Sequence, residues 1–454
     1  MAKVPQPFLF GWKEIDAASD LDRLRLVLSA IPDEGFMRKL EKKRGKGRND
    51  YPIRPTWNSL LAGVVYQHIS SASLLRELRR NGELRDLCGF DPIRGAVAVP
   101  SDDAFGRFLA LVVRCRADLA VMFDQLLDEL AKVLPDLGRN AATDGKAIRS
   151  HGKPVTSEEK RQNPDGRRDR DADWGKKTYR GQKKDGTNYE KIVKWFGYKL
   201  HLMVDVDYEL PLGFEVTKAS ASDSPRLLPL LSQWQARHPE IAARTETLAA
   251  DKGYDSIQNN RVTFEEFGIK PVIDKRSMWK DGEKTRPVYP DRVDSFVYNE
   301  KGEVYCICPE TGEQRLLSPM GFENERRALK YRCPAAAGQF VCAGRRSCEK
   351  NTNTGEFGRV LRIPLELDRR IFTPVARPSH KWKRLYNGRS AVERVNSRVD
   401  RVLGFERHFL RGLPKIEMRM TLGMVVLLAM ALGRIQIGQM EQMRSLVQPV
   451  RRAA

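Results

Sequence analysis

Residues 198–219, YKLHLMVDVDYELPLGFEVTKA, hold the densest strand signal in the 454-residue chain. Tyr198, Leu200, Leu202, Val204 and Val206 alternate with Lys199, His201, Met203 and Asp205, the period of a strand with one buried face. The Glu209-Leu210-Pro211 step turns the chain, and LGFEVTKA alternates again. The two segments therefore predict a β-hairpin. Downstream, Asp223 or Ser224 can cap and Pro225 suits the first turn of a helix carrying Leu227, Leu228, Leu230, Leu231 and Trp234. TLAAD reads as a buried strand ending at Asp251. A helix from Asp255 to Phe267 stops at Gly268, and IKPVID is a further strand.

Upstream, AATDGKAI reads as a short strand ending at Asp144. Between it and the hairpin, residues 150–194 are rich in charge, Gly and Asp, and predict a long basic loop or a segment ordered by a partner. The order is strand, loop, strand, strand, helix, strand, helix, strand. This predicts an α/β RNase H-like core, a mixed sheet with flanking helices. That plan asks for one more helix, and about 105 residues intervene before it. Residues 137–275 would be the first part of the core, and 276–381 an inserted β-rich subdomain containing cysteines. Residues 382–454 would bring the closing helix and the C-terminal helices, with Met420–Gly433 covering the core. Residues 1–136 read as helical, with Ser101 as an N-cap and basic segments at Glu41–Arg48 and Arg76–Arg80. A DNA-binding domain and an ordinary helical domain both fit that pattern.

Bulk charge narrows the partner. Eighty Lys+Arg against 59 Asp+Glu leave +21, which favours a polyanion, most simply nucleic acid. A membrane is not expected: the apolar run at Met420–Gly433 makes about 21 Å of helix against a hydrocarbon core of about 30 Å. Seven cysteines without a signal-peptide pattern at MAKVPQPF suggest a reducing, cytoplasmic setting.

The closing segment, YNGRSAVERVNSRVDRVL at 386–403, sorts into three stripes when wound as one helix. Val392, Val395, Val399 and Val402 would face the sheet. Tyr386, Arg389, Glu393, Asn396 and Asp400 share a second face, and Arg394, Arg398 and Arg401 a third. The divided polar surface suits a metal-binding carboxylate beside a phosphate backbone. A solvated helix with an Arg389–Glu393 pair fits it too. Asp144, Asp251 and Glu393 lie 107 and 142 residues apart; only a fold can bring them together, and the RNase H-like plan does so. Such carboxylates suit Mg²⁺ or Mn²⁺, two of which can clamp an in-line phosphoryl displacement. Asp144-Gly145 also fits a turn and Asp251 a helix cap; Asp205 and Asp223 are the nearby acids that could substitute in the set.

TDGKAI, GYKLHLMVDVDYELPLGFEVTKASASDS, LAADKGYDS and YNGRSAVERVNSRVDR resemble the catalytic blocks of DDE transposases from bacterial insertion sequences. Tyr386, Arg389 and Glu393 match that family's Tyr, two residues, Arg, three residues, Glu signature. Where the signature then asks for Lys, seven residues on, this chain has Asp400 followed by Arg401. The N-terminal RPTWNSLLAGVVYQHISSASLLRELRRNGELRDLCGFDP and SDDAFGRF resemble the helical domain these enzymes carry. The resemblance implies a metal-dependent transposase that cuts at element ends and joins the freed 3′-OH to target DNA. Asp144, Asp251 and Glu393 would hold the ions, with Lys146, Lys252, Tyr254, Tyr386 and Arg389 near the scissile DNA. Its DNA partners would be terminal inverted repeats and target, and synapsis of two ends suggests a homodimer. A non-catalytic DNA-binding relative and a nuclease without strand transfer are the competing readings. Cys306, Cys308, Cys333, Cys342 and Cys348 either supply a tetrahedral Zn²⁺ site stapling the insertion or remain reduced thiols.

Overall fold

The computed structural model describes residues 20–45, 50–155, 167–183, 185–291, 296–336, 341–352, 359–448 and 450. Lys46–Arg48 of the first basic segment and residues 156–166 of the expected loop lie outside these.

Seven helices come first: α1 (Leu21–Ala30), α2 (Glu34–Arg44), α3 (Ile53–Val65), α4 (Ser71–Arg80), α5 (Gly82–Cys88), α6 (Asp102–Arg114) and α7 (Arg116–Val133). Ser101 caps α6 by accepting the Ala104 N–H at 3.3 Å. Trp57 anchors the group: its ring is fully buried and its Nε1–H donates to Asp33 at 2.6 Å.

The chain then enters the sheet through β1 (Asn140–Arg149). β1 runs five residues past Asp144, so Asp144-Gly145 is mid-strand rather than a turn; Gly145 pairs with His201 and Lys146 with Leu200. β2 (Asp173–Gln182) and the long β3 (Asn188–Asp205) follow, then β4 (Pro211–Lys218). The second half of the expected loop is thus a β-ribbon. Its strands carry polar residues on both faces because both faces meet water, so no apolar alternation marks them. At Gly197 (φ +153°) β3 passes from ribbon to sheet, close enough to β1 that a Cβ would fall 2.2 Å from the Ile148 carbonyl oxygen.

α8 (Leu227–Arg237), α9 (Pro239–Ala243), β5 (Thr247–Ala250), α10 (Ile257–Glu265) and β6 (Lys270–Ile273) complete the first part of the core. The strand order is β4-β3-β1-β5-β6, with β2 beside the first half of β3. β3 is antiparallel to β1 and β4, and β1, β5 and β6 are mutually parallel. This is the RNase H-like arrangement.

The insertion forms two small sheets, β7 (Arg286–Pro287), β8 (Phe296–Tyr298), β9 (Val304–Ile307) and β10 (Gln314–Leu316) in one and β11 (Ser318–Glu323), β12 (Ala328–Arg332) and β13 (Val360–Pro364) in the other, with α11 (Arg345–Thr352) between β12 and β13. Phe296, Val304, Tyr331, Ile363 and Phe372 belong to a core of its own, separate from the main one. It is tied to α10 and the segment before it by charge: Glu265 receives Arg327 at 2.8 Å and also Arg369, and Asp255 receives Arg370 Nε at 3.0 Å.

The closing segment is two helices, α12 (His380–Asn387) and α13 (Ser390–Val402), not one. The break falls at Gly388, where a Cβ would meet Val206, just past β3, at 2.8 Å, so the close approach there calls for glycine. Val392, Val395 and Val399 on α13 are fully buried against β1 and β3. α14 (Leu413–Gln436) is long and apolar enough to cross a membrane, but 89% of its apolar window is buried within the fold. It packs against α1, α3, α7 and β4, so the helical region and the sheet share one hydrophobic core.

Candidate active site

The parallel pairing of β1 with β5 sets the site. Thr143 faces Ala250 in register, so the next residues, Asp144 within β1 and Asp251 just past the end of β5, come side by side. Each carboxylate accepts a local backbone N–H at 2.8 Å, Asp144 from Gly145 and Asp251 from Gly253. Burial, reinforced by the charge of Asp251, pushes the Asp144 carboxyl up to about 6; Lys177 and Arg389 pull the other way.

α13 carries the third acid across the edge of these strands. The Glu393 carboxylate meets Asp144 through a guanidinium: Arg389 donates to Glu393 at 2.6 Å and lies 3.7 Å from Asp144. The pair at i, i+4 and the site are therefore one arrangement. Among the described residues no three His, Cys, Asp or Glu side chains converge as a ready metal-binding group. The expected direct convergence of three acids is thus replaced here by two neighbouring aspartates and a glutamate bridged by arginine. The donors remain chemically suited to a hard divalent cation, and the raised Asp144 carboxyl is what a cation would relieve.

A fourth acid closes in. Asp223 stands at the N-cap position before Pro225 but makes no cap hydrogen bond. Its carboxylate instead accepts from Lys199 at 3.0 Å. It crowds Gly253 from the side opposite Asp251: a Cβ there would fall 2.7 Å from Asp251 Oδ1 and 3.3 Å from Asp223 Oδ2. His201 Nδ1 is 3.6 Å away, but burial holds that imidazole down at about 4, leaving Lys199 as the cation. Asp205, the other alternative, is buried and accepts the Gly138 and Tyr208 N–H groups, which fixes a chain turn remote from this chemistry.

An open groove of about 590 Å³ fronts the site, lined by Asp144, Glu393, Lys176, Lys177, Lys199 and Arg401 among others. Lys146 also lines it, ion-paired with Asp400 on α13 and lying 3.2 Å from Glu406. Burial pushes the Asp400 carboxyl up against the pull of Lys146. Asp400 occupies the place where the family signature asks for Lys, and the ammonium there is delivered from the strand instead.

The other expected DNA contacts divide. Lys252 and Arg401 are exposed. Tyr386 is half-buried and stacked on Trp382, with ring centroids 4.9 Å apart. Tyr254 is fully buried, so it does not present its ring to DNA. Arg394 and Arg398 do not form a phosphate stripe with Arg401. They converge with Arg444 on the buried Glu209, Arg394 at 2.6 Å and Arg444 at 3.5 Å. Winding the sequence into a helix shows which way an arginine points, but not that an acid 185 residues away waits there.

The cysteine expectation also changes. All seven cysteines are free, and no three among the described residues are placed to hold an ion. Cys342 Sγ accepts from Arg315 at 2.6 Å. Cys308 is buried, and hydrogen bonds from Thr311 and the Glu310 and Gly344 backbone draw its thiol down to about 7. Burial, then the neighbouring Cys333, pushes the Cys306 thiol up to about 11, and burial together with the nearby Cys342, Cys333 and Cys308 pushes Cys348 up, so the insertion's sulfurs lie near one another.

A family model described as a transposase DDE domain matches residues 138–429. The chain belongs to the DDE transposase family. A second model, described as a transposase domain, covers residues 13–110, the helical region. A search among curated proteins gives no match. The protein is accordingly a DNA transposase, with the mixed sheet of that family at its centre.

Proposed function

We propose that this transposase cuts the phosphodiester at the ends of its element and joins the freed 3′-OH to target DNA, with Asp144, Asp251 and Glu393 as the catalytic acids. The observation that carries the reading is the register that sets Asp144 beside Asp251 while Arg389 ties Asp144 to Glu393.

These three carboxylates would hold Mg²⁺ or Mn²⁺, which supplies acidification of the attacking oxygen and neutralisation of charge on the leaving one. In the first step water adds to phosphorus and the P–O3′ bond breaks, leaving a 3′-OH and a 5′-phosphate. In the second, that hydroxyl attacks a target phosphodiester, a new P–O bond forms, and the target's own 3′-oxygen leaves and takes up a proton. The chain's cations position the strands. Lys146, Lys199 and Arg401 line the groove, and Lys252 lies exposed beside Asp251. Arg389 must release at least one carboxylate for a cation to enter, and its guanidinium is then free for a phosphate oxygen. The net charge of +21 agrees with this use. Two ends brought together would call for two copies of the chain, acting in the cytoplasm where the element's DNA lies.

The test is incubation with duplexes carrying the element's terminal repeats, in Mg²⁺ or in EDTA, comparing the wild type with Asp144→Asn, Asp251→Asn and Glu393→Gln. Cleavage and joined products that need Mg²⁺ and all three acids are expected. Cutting that survives EDTA or the loss of Asp144 would overturn the assignment, and cutting without joining would indicate a nuclease.

A further inference from the structure

Beyond the end of the sheet, β2 and the first half of β3 stand out as a two-stranded ribbon. β2 pairs with β3 from Asp173↔Gly197 to Gln182↔Asn188, whereas β1 pairs with β3 only from Gly197 onward and β4 from Tyr198. Both faces are open: Trp174, Tyr189 and Ile192 are 57%, 43% and 45% exposed. A lone two-stranded ribbon is marginal in water, and this one carries a further burden. Residues 173–194 hold seven basic residues against three acids. Lys176 and Lys194 face one another directly across the strands, a like-charge pairing that disfavours the ribbon unless an anion lies on it. Neither has an ion-pair partner among the described residues.

The ribbon's root is at the active site. Lys176, Lys177 and Trp195 line the same groove as Asp144 and Glu393. Ten paired residues extend about 30 Å from there, the length of about nine base pairs. A two-stranded ribbon is also of a width that the major groove admits.

We propose that the β2–β3 ribbon is a DNA-holding arm that lies along the duplex flanking the scissile phosphate, with Lys176 and Lys194 neutralised by backbone phosphates. The inference rests on the acids of the groove being the cutting centre, since that fixes where the duplex starts.

The test uses the full chain and end duplexes that extend either 5 or 20 base pairs past the cut, a length set by the arm's reach of about nine. Affinity is measured against salt for the wild type, Lys176→Ala/Lys194→Ala, and the charge-matched control Lys132→Ala/Lys301→Ala. The ribbon pair should lower the slope of log affinity on log salt by about 2 and weaken the long duplex about tenfold or more, with the control close to wild type. A ribbon pair that binds like the control overturns the proposal. Because the paired substitution also alters the ribbon itself, a photo-crosslinking residue at Ile192 in an otherwise unchanged chain gives a second readout. Crosslinks to the flank within about nine base pairs of the cut support the arm; none to DNA counts against it. The outcomes separate from those of the acid assignment. If Asp144→Asn still cuts, the cutting centre is wrong; if it does not cut but the ribbon variants bind normally, only the arm is.

Discussion

Asp144→Asn should make the metal-free protein more stable at neutral pH, although it removes a proposed catalytic group. Folding takes this carboxyl from an ordinary 3.8 to about 6, with burial the main cause and Asp251 the next. The gap of about 2 pH units corresponds to about 3 kcal/mol. The sign is opposite to that of a salt-bridged aspartate. The native state holds its proton more tightly than the unfolded chain, so stability falls as pH rises from 3.8 to 6 and the full penalty applies above that. Asparagine has the same shape without the charge. Its advantage should be about 3 kcal/mol at pH 8, shrink as pH drops through 6, and disappear below 4. Thermal melts of both proteins in EDTA across this range measure it. Adding millimolar Mg²⁺ at pH 8 should raise the wild-type midpoint and leave the variant's unmoved. A wild type as stable as the variant at pH 8, or a difference with no pH dependence, would refute the desolvated, like-charge environment assigned to Asp144.

Three other outcomes follow from specific contacts. Lys146→Met should lower the salt slope of DNA binding by about 1, while Asp400→Asn, which frees the Lys146 ammonium, should tighten binding; filter binding across salt reads both, and an unchanged Lys146→Met slope rejects the strand-borne contact. Glu209→Ala removes the shared partner of Arg394, Arg398 and Arg444, of which only Arg398 is well buried, and should cost roughly 1–3 kcal/mol in denaturant melts; no loss would mean that the cluster is solvated. His238 is buried, which lowers its pKa, but hydrogen bonds to Asp124 and Asp128 on α7 outweigh this and raise it. Its contribution is complete below the unfolded value and lost as pH rises through the raised one, so Asp124→Asn/Asp128→Asn should flatten the decline in melting temperature on that alkaline side.

Legibility in the sequence followed the apolar pattern. Where apolar residues alternate with polar ones, as at Tyr198–Val206, the period declares the strand, although both of its faces are dry: His201, Met203 and Asp205 are as buried as Leu200 and Leu202. Where both faces are wet, as in the ribbon at 173–194, composition resembles a loop and the strand is missed. Asp144 was placed at a strand end because Asp-Gly looks like a stop, yet backbone pairing with β3 carries the strand to Arg149. Of α13's three stripes the valine face meets the sheet, but the arginine stripe divides: Arg394 and Arg398 turn to Glu209, while Arg401 lines the groove with Glu393 and Asp400. Glu209 lies 185 residues from Arg394, and the need for glycine at 388 depends on how near Val206 comes. Asp223 was weighed as a cap. Its turn toward Lys199 follows from the two strands meeting there, a distance no periodicity encodes.

The placement of α14 has a consequence for synthesis on the ribosome. This helix is made after α1, α3, α7 and β4, yet all four lean on it. A nascent chain interrupted before Leu413 would leave their apolar sides uncovered, so the N-terminal helices should not persist as a free, folded fragment. Truncated translation products would then be cleared rather than compete with the full-length protein for the element's ends.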